Sequence, residues 1–290
     1  MKKVLITGAQ GFIGKNLVEA YENKYFVSAP TIKELSLLDT EAVGEYLKKN
    51  EFDVIIHAAN YGTCDTKNPE PFKVLSYGLK MFYNLDKYKD YYGKLIYFGS
   101  GAEYDKTNCI PYMTETYFGQ HIPEDAYGLY KYALAEYAKT AQNIYDLRLF
   151  GVCGKYEQVY RFLSSNICRA LKGLPLTLSQ NAYFDYIYVD DVAGVVEWFM
   201  ENTPGYAHYN VCRGQHIDLY SLNVMIRDML CPGRDILVGK EGWKAEYSGN
   251  NERLKSEMGE ITFTSYREMI QKLTSYYEPI IHTIDETMLP

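Results

Sequence analysis

The stretch "VLITGAQGFIGKNLVEAY" at residues 4–21 limits what this chain can fold into more than any other. Val4, Leu5 and Ile6 form a short apolar run without alternation, as expected of a strand buried on both faces. Gly8, Gly11 and Gly14 follow three apart, and residues 12–22 then read as an amphipathic helix with Phe12, Leu17 and Val18 inward. The first glycine permits the tight turn, the second lets backbone approach a pyrophosphate, and the third lets helix pack on strand. The helix N-terminus presents unpaired N–H groups to the anion. A dinucleotide-binding turn is therefore expected, rather than a plain strand-to-helix connection.

The alternation continues with a weak strand at 25–29, a helix near 40–50, a strong strand "DVIIHAA" at 53–59 and a helix at 70–88. A strand "KLIYFGS" at 94–100, a long polar loop at 101–124, a helix at 125–143 and the strand "YDLRLF" come next. Strands alternating with helices predict a parallel, doubly wound α/β sheet of Rossmann type. After Gly154 the pattern loosens into helices at 160–172, 190–201, 218–230 and 265–277, separated by breaks such as "NTPG" and "CPGR". We therefore expect a dinucleotide-binding domain at 1–155, with 183–202 returning to it, and a smaller substrate-binding region over most of 156–290.

Thirty basic against 37 acidic residues leave a net charge of −7, and no Lys/Arg-rich run is present, which argues against nucleic acid or anionic membrane as partner. No stretch approaches the ~20 apolar residues of a membrane span, and the apolar run at the start is too short for a signal peptide. The cysteines at 64, 109, 153, 168, 212 and 231 show no CxxC spacing, so neither a metal site nor a disulfide framework is expected and a cytoplasmic location is the default.

An NAD-binding turn calls for an Asp or Glu about 20 residues on, to hold the ribose 2′-OH. The second strand instead ends "VSAPT", without an acid, which tilts the expectation toward NADP, with NAD still possible and Lys33 a candidate phosphate partner.

Hydride transfer to a carbonyl needs a proton for the developing alkoxide, and a tyrosine serves if a nearby cation lowers its pKa. Two pairs have the i, i+4 spacing that puts phenol and ammonium on one helix face: Tyr83 with Lys87, and Tyr127 with Lys131. Chain order separates them, because ligands bind at the carboxyl ends of parallel strands. "LIYFGS" ends at Ser100, whose hydroxyl can hold a carbonyl oxygen, and Tyr127 lies on the helix that follows. Tyr83 precedes that strand and reads as a packing residue, as do Tyr130 and Tyr137.

Taken in order, "TGAQGFIG", "HAAN", "FGSGAEY" and "YGLYK" resemble the extended short-chain dehydrogenase/reductases, the sugar-nucleotide epimerases, dehydratases and reductases. The resemblance implies Ser100, Tyr127 and Lys131 as catalytic residues, with Gly8, Gly11, Phe12, Ile13, Gly14, Ala58 and Ala59 along the cofactor and Lys131 also on the nicotinamide ribose. It implies Leu37 beside the adenine, although Ser36 stands where relatives commonly carry an acid. Glu103 becomes a candidate substrate contact, with solvent exposure as the alternative. His57, Asp190 and Asp191 read as structural, the two aspartates as caps of a helix N-terminus.

The segment "KELSLLDTEAVGEYLKKNEFDVIIHAAN" is most similar to the branch holding GDP-fucose synthase and the dTDP-rhamnose-forming reductase, which implies NADPH-dependent reduction of a nucleotide-linked 4-keto-6-deoxy sugar. The cysteine–histidine pair that serves epimerisation in that branch has no counterpart, since Ala102 and Cys168–Arg169 occupy those places. Gly151 and Phe184 replace an Asn and an Arg common in relatives. The rival readings are an NAD-dependent 4-epimerase or dehydratase, and a non-catalytic NADP sensor. The apolar helices at 70–88 and 125–143 imply a homodimer.

Overall fold

A computed structural model describes residues 1–62 and 69–290, so Cys64 lies outside the described residues. In chain order the first elements are β1 (Lys3–Thr7), α1 (Phe12–Tyr21), β2 (Phe26–Ser28), α2 (Thr40–Asn50), β3 (Phe52–His57), α3 (Pro71–Asp86), β4 (Tyr92–Ser100), α4 (Ala126–Ala138) and β5 (Ile144–Leu149). There follow β6 (Gly151–Cys153), α5 (Phe162–Leu171), β7 (Leu176–Asn181), β8 (Tyr183–Phe184), β9 (Tyr186–Tyr188), α6 (Val189–Glu201) and β10 (His208–Val211). The last are β11 (Ile217–Asp218), α7 (Leu219–Leu230), β12 (Ile236–Trp243), α8 (Glu252–Met258) and α9 (Tyr266–Tyr277).

Six strands form one parallel sheet in the order β10-β5-β4-β3-β1-β2. Each central strand divides its side chains between two cores. Val4, Ile6, Val54, Ile56, Ile96 and Leu147 pack on the face covered by α1 and α6, while Leu5, Ile55, Leu95 and Tyr97 pack on the face covered by α2, α3 and α4. That division explains the uninterrupted apolar runs, because both faces exclude water. The chain reverses direction across β1, which places the crevice between β1 and β3 at the carboxyl ends of the strands.

The later chain contributes more to this sheet than its pattern suggests. β10 adds a sixth strand beside β5, and α6 lies against α1, with Tyr21 Oη donating to Ala193 O at 2.6 Å. The segment 101–124 is a largely exposed loop anchored inward at several points: Tyr104, Met113 and Glu115 are buried, and Glu115 Oε1 accepts from Asn210 N at 2.8 Å. Asp190 and Asp191 sit in the first turn of α6, where Asp191 accepts from the backbone N–H of the N-cap residue Tyr188, and their carboxylates also hold Lys272 and Thr264. No helix among the described residues is long and apolar enough to cross a membrane.

Candidate active site

One cavity of about 1030 Å³ opens at the carboxyl ends of β1, β3 and β4. Its floor is the glycine turn. Gly8 has φ +67°, and a Cβ there would come within 2.5 Å of Ala59 N, while one on Gly14 would come within 2.3 Å of Gly8 O. Only glycine satisfies both close approaches. No side chain caps α1, so the N–H groups of its first turn remain for an anion. Phe12, Ile13, Ala58 and Ala59 join the wall, and Leu37, buried to 7% exposure, closes it farther along. This cradle of tight backbone and free N–H groups fits a dinucleotide. Lys33 is exposed and outside the wall.

The end of β1 is tied to the end of β3. Thr7 Oγ1 lies 2.8 Å from His57 Nδ1, and Ala58 N donates to Thr7 O at 3.2 Å. Burial pushes His57 down to about 3, so the ring is neutral and acts as a hydrogen-bonding strut.

Ser100, Tyr127 and Lys131 all line this cavity, brought there by the end of β4 and the first turns of α4. Asp125 caps α4 through Gly128 N at 2.9 Å. The Lys131 amine donates to Phe98 O, two residues before Ser100, and burial pushes its pKa down to about 8. The phenol behaves differently from the expectation. Burial raises Tyr127, with hydrogen bonding to Ser100 the main opposing influence, so the nearby lysine does not leave it acidified in the protein alone. The hydroxyl is consequently protonated at neutral pH, the form a proton donor needs. The other pair stays outside the cavity: Tyr83 is 41% exposed and packs edge-on against Phe82 and Tyr137.

Glu103 is not exposed. It is fully buried and absent from the cavity wall; Oε1 accepts from Ser100 N at 2.9 Å and Oε2 from Arg148 Nε at 2.6 Å. Arg148 also reaches Asp146 at 3.0 Å and Tyr104 Oη at 3.0 Å, and all three charged groups have no exposure. Burial and the charge of Asp146 push Glu103 well up. Glu103 and Ser100 form a reciprocal cap, since Ser100 Oγ accepts from Ala102 N at 3.1 Å. Glu103 thus fixes the backbone that presents the serine.

Beyond Ser100 the wall carries residues that sequence reasoning missed: Lys106, Arg161 and Lys244, and the ring of Tyr247. None belongs to a recognisable spacing, and they come from three separate segments, Lys244 and Tyr247 sharing one. Phe184 lines the cavity as anticipated. Gly151 does not, because a Cβ at that position would meet Asp185 O at 2.7 Å and the Tyr186 ring. Among the described residues no cluster of His, Cys, Asp or Glu could hold a metal ion.

A model of the NAD dependent epimerase/dehydratase family matches residues 4–212. The chain is 28% identical over 238 residues to GDP-L-colitose synthase of Yersinia pseudotuberculosis, covering 73% of this chain and 77% of that protein. UDP-glucose 4-epimerase of Thermotoga maritima, solved with UDP-glucose, matches with a TM-score of 0.83 at 20% identity, over 96% of this chain and 99% of that one. The GDP-mannoheptose C4 reductase of Campylobacter jejuni, solved with NADP, matches with a TM-score of 0.82 at 19% identity, over 95% and 98%. At these identities the structural likeness speaks for the fold.

Proposed function

Because the chain belongs to the NAD dependent epimerase/dehydratase family, and so to the sugar-nucleotide oxidoreductases and epimerases, we propose that it is a cytoplasmic NADP(H)-dependent reductase of a nucleotide-linked 4-keto-6-deoxy sugar. The observation that carries this reading is the meeting, in one cavity, of the glycine turn with Ser100, Tyr127 and Lys131. The glycine turn and the first turn of α1 hold the pyrophosphate, Leu37 flanks the adenine, and the missing acid after β2 favours NADP over NAD. When bound, the cofactor supplies a hydride to the keto carbon. Ser100 holds the ketone oxygen, Tyr127 gives its proton to that oxygen, and Lys131 binds the nicotinamide ribose and supports the charge left on the phenol. Lys106, Arg161 and Lys244 give an acidic protein a local excess of positive charge suited to a diphosphate.

The test is nicotinamide oxidation by the purified protein with NADPH or NADH and a panel of nucleotide 4-keto-6-deoxy sugars. Consumption of NADPH that disappears in Tyr127→Phe, by at least ~100-fold, supports the proposal. Cofactor retained through purification, with isomerisation of a nucleotide sugar and no net consumption, would sink it in favour of an epimerase.

The same reading includes a homodimer through α3 and α4; the outer face of α3 carries Phe72 at 76% and Tyr83 at 41% exposure. Light scattering of the wild type should give twice the chain mass, and Phe72→Glu should lower it. A monomer at micromolar concentration counts against the pairing.

A further inference from the structure

Lys106 puts a second ammonium beside the phenol that the proposed reaction uses. It lines the cavity, and its amine lies 5.6 Å from the centre of the Tyr127 ring, with the Lys131 amine 5.9 Å from the same centre. Both fall within the ~6 Å at which an aromatic face attracts a cation. The two amines differ in what else they do. Lys131 is buried and donates to Phe98 O, whereas Lys106 is exposed and makes no hydrogen bond or ion pair among the described residues. The turn that carries Lys106 is built. Asp105 has φ +64°, and its carboxylate accepts from Thr107 N at 3.2 Å, from Thr107 Oγ1 at 2.8 Å and from Asn108 Nδ2. Asn108 N closes the turn on Asp105 O at 3.0 Å, and Tyr104, just before it, is anchored in the interior by Arg148.

Giving its proton to the ketone oxygen leaves Tyr127 with a negative charge shared between oxygen and ring. Burial raises Tyr127 against hydrogen bonding to Ser100, and Glu103 raises it further. Lys131 is itself pushed down by burial to about 8, so it provides only part of the compensating charge near neutral pH and above. We propose that Lys106 is a positioning residue that acts through Tyr127: its ammonium, held at the ring by the Asp105–Asn108 turn, attracts the phenolate more strongly than the phenol and so favours proton transfer to the substrate. An interaction that is stronger in the transition state than before it raises kcat. Water screens the exposed ammonium in the free protein, and a sugar nucleotide filling the cavity displaces that water and strengthens the attraction. The O–H bond of Tyr127 breaks as one forms on the substrate oxygen, and Lys106 gives up no atom. This inference rests on the proposed role of Tyr127 in ketone reduction. Of the three cations in the cavity wall, it moves Lys106 from the diphosphate to the reacting end.

The test compares Lys106→Gln, Lys106→Arg, Tyr127→Phe and the double variant of Lys106→Gln with Tyr127→Phe in the NADPH and keto-sugar assay. Because Lys106 is exposed, its substitutions should leave Tm within about 2 °C of wild type. Lys106→Gln should lower kcat roughly 10- to 50-fold with KM within about 3-fold. Lys106→Arg should keep kcat within about 3-fold of wild type, since a guanidinium also sits on an aromatic face. Added to Tyr127→Phe, Lys106→Gln should slow the residual turnover by less than about 2-fold, because groups acting as a unit are not additive. A kcat for Lys106→Gln equal to wild type, or the same fold loss with and without the Tyr127 hydroxyl, would overturn this inference alone. So would a loss confined to KM, which would make Lys106 a diphosphate contact. Full turnover by Tyr127→Phe would remove the reductase reading and this inference with it.

Discussion

Replacing Arg148 by methionine should cost far more stability than any surface charge substitution. The guanidinium has no exposure, reaches Glu103 at 2.6 Å, Asp146 at 3.0 Å and Tyr104 Oη at 3.0 Å, and lies 4.3 Å from the centre of the Phe118 ring. Methionine keeps much of the volume but strands two carboxylates in a dry interior. Breaking a buried pair by removing one partner costs about 3–5 kcal/mol, which for a chain of this size lowers Tm on the order of 10 °C. The loss should depend on pH. Glu103 and Asp146 are already raised by burial, and without Arg148 they rise further. A group whose folded pKa exceeds its unfolded value contributes stability at low pH and loses it as pH rises through the folded pKa. The deficit measured by urea unfolding should therefore be smallest near pH 5 and grow toward pH 8. A variant within about 1 kcal/mol of wild type at pH 8, or a deficit flat with pH, would refute the assignment of this cluster as a buried, mutually dependent set.

Two further outcomes follow from the cofactor end. Gly8→Ala must adopt φ near +67° and place a Cβ 2.5 Å from Ala59 N, so it should lose at least ~1–2 kcal/mol by thermal unfolding and weaken NADPH binding; unchanged Tm and Kd would contradict the cradle. Lys131, pushed down to about 8 by burial, is an ammonium below that pH and a neutral amine above it, so NADPH affinity followed by fluorescence should fall between pH 7 and pH 9 in wild type; a flat Kd would remove the lysine from the cofactor site.

The parts of this molecule that local chemistry decides were readable in the chain. Val4-Leu5-Ile6 and "DVIIHAA" announce strands buried on both faces, and the glycine spacing announces a turn whose backbone must approach other backbone closely. The helix signals at 160–172, 190–201, 218–230 and 265–277 fall on α5, α6, α7 and α9 within two residues. What escaped was set by long-range pairing. β10, "HYNV", is too short and too polar to stand out, yet its backbone completes the sheet beside β5. The strap "KAEYSGNN" has no periodicity, because it is held by single backbone bonds to Asn181, Tyr183 and Met113 rather than by a repeating face.

Charge was the most misleading signal. Asp146 and Arg148 stand inside "IYDLRL", where alternation would send them to solvent, and Glu103 sits in a segment whose polar composition suggests a loop. All three are buried because Arg148 bonds both acids, at separations of 2 and 45 residues that no local rule can pair. Buried ion pairs seldom repay their desolvation in net stability, so the use of this one is better sought in what it positions. Arg148 lies on β5, Glu103 follows β4, and Lys131, whose charge both carboxylates support, lies on α4. The serine N–H bonded to Glu103 and the lysine in the field of both carboxylates are therefore located by one set of charges. A hydrophobic replacement could hold the same elements together, but it would offer Ser100 no acceptor and Lys131 no compensating charge. That reason for a charged core beside the cavity is physical and local, even though the sequence scatters its members across three elements.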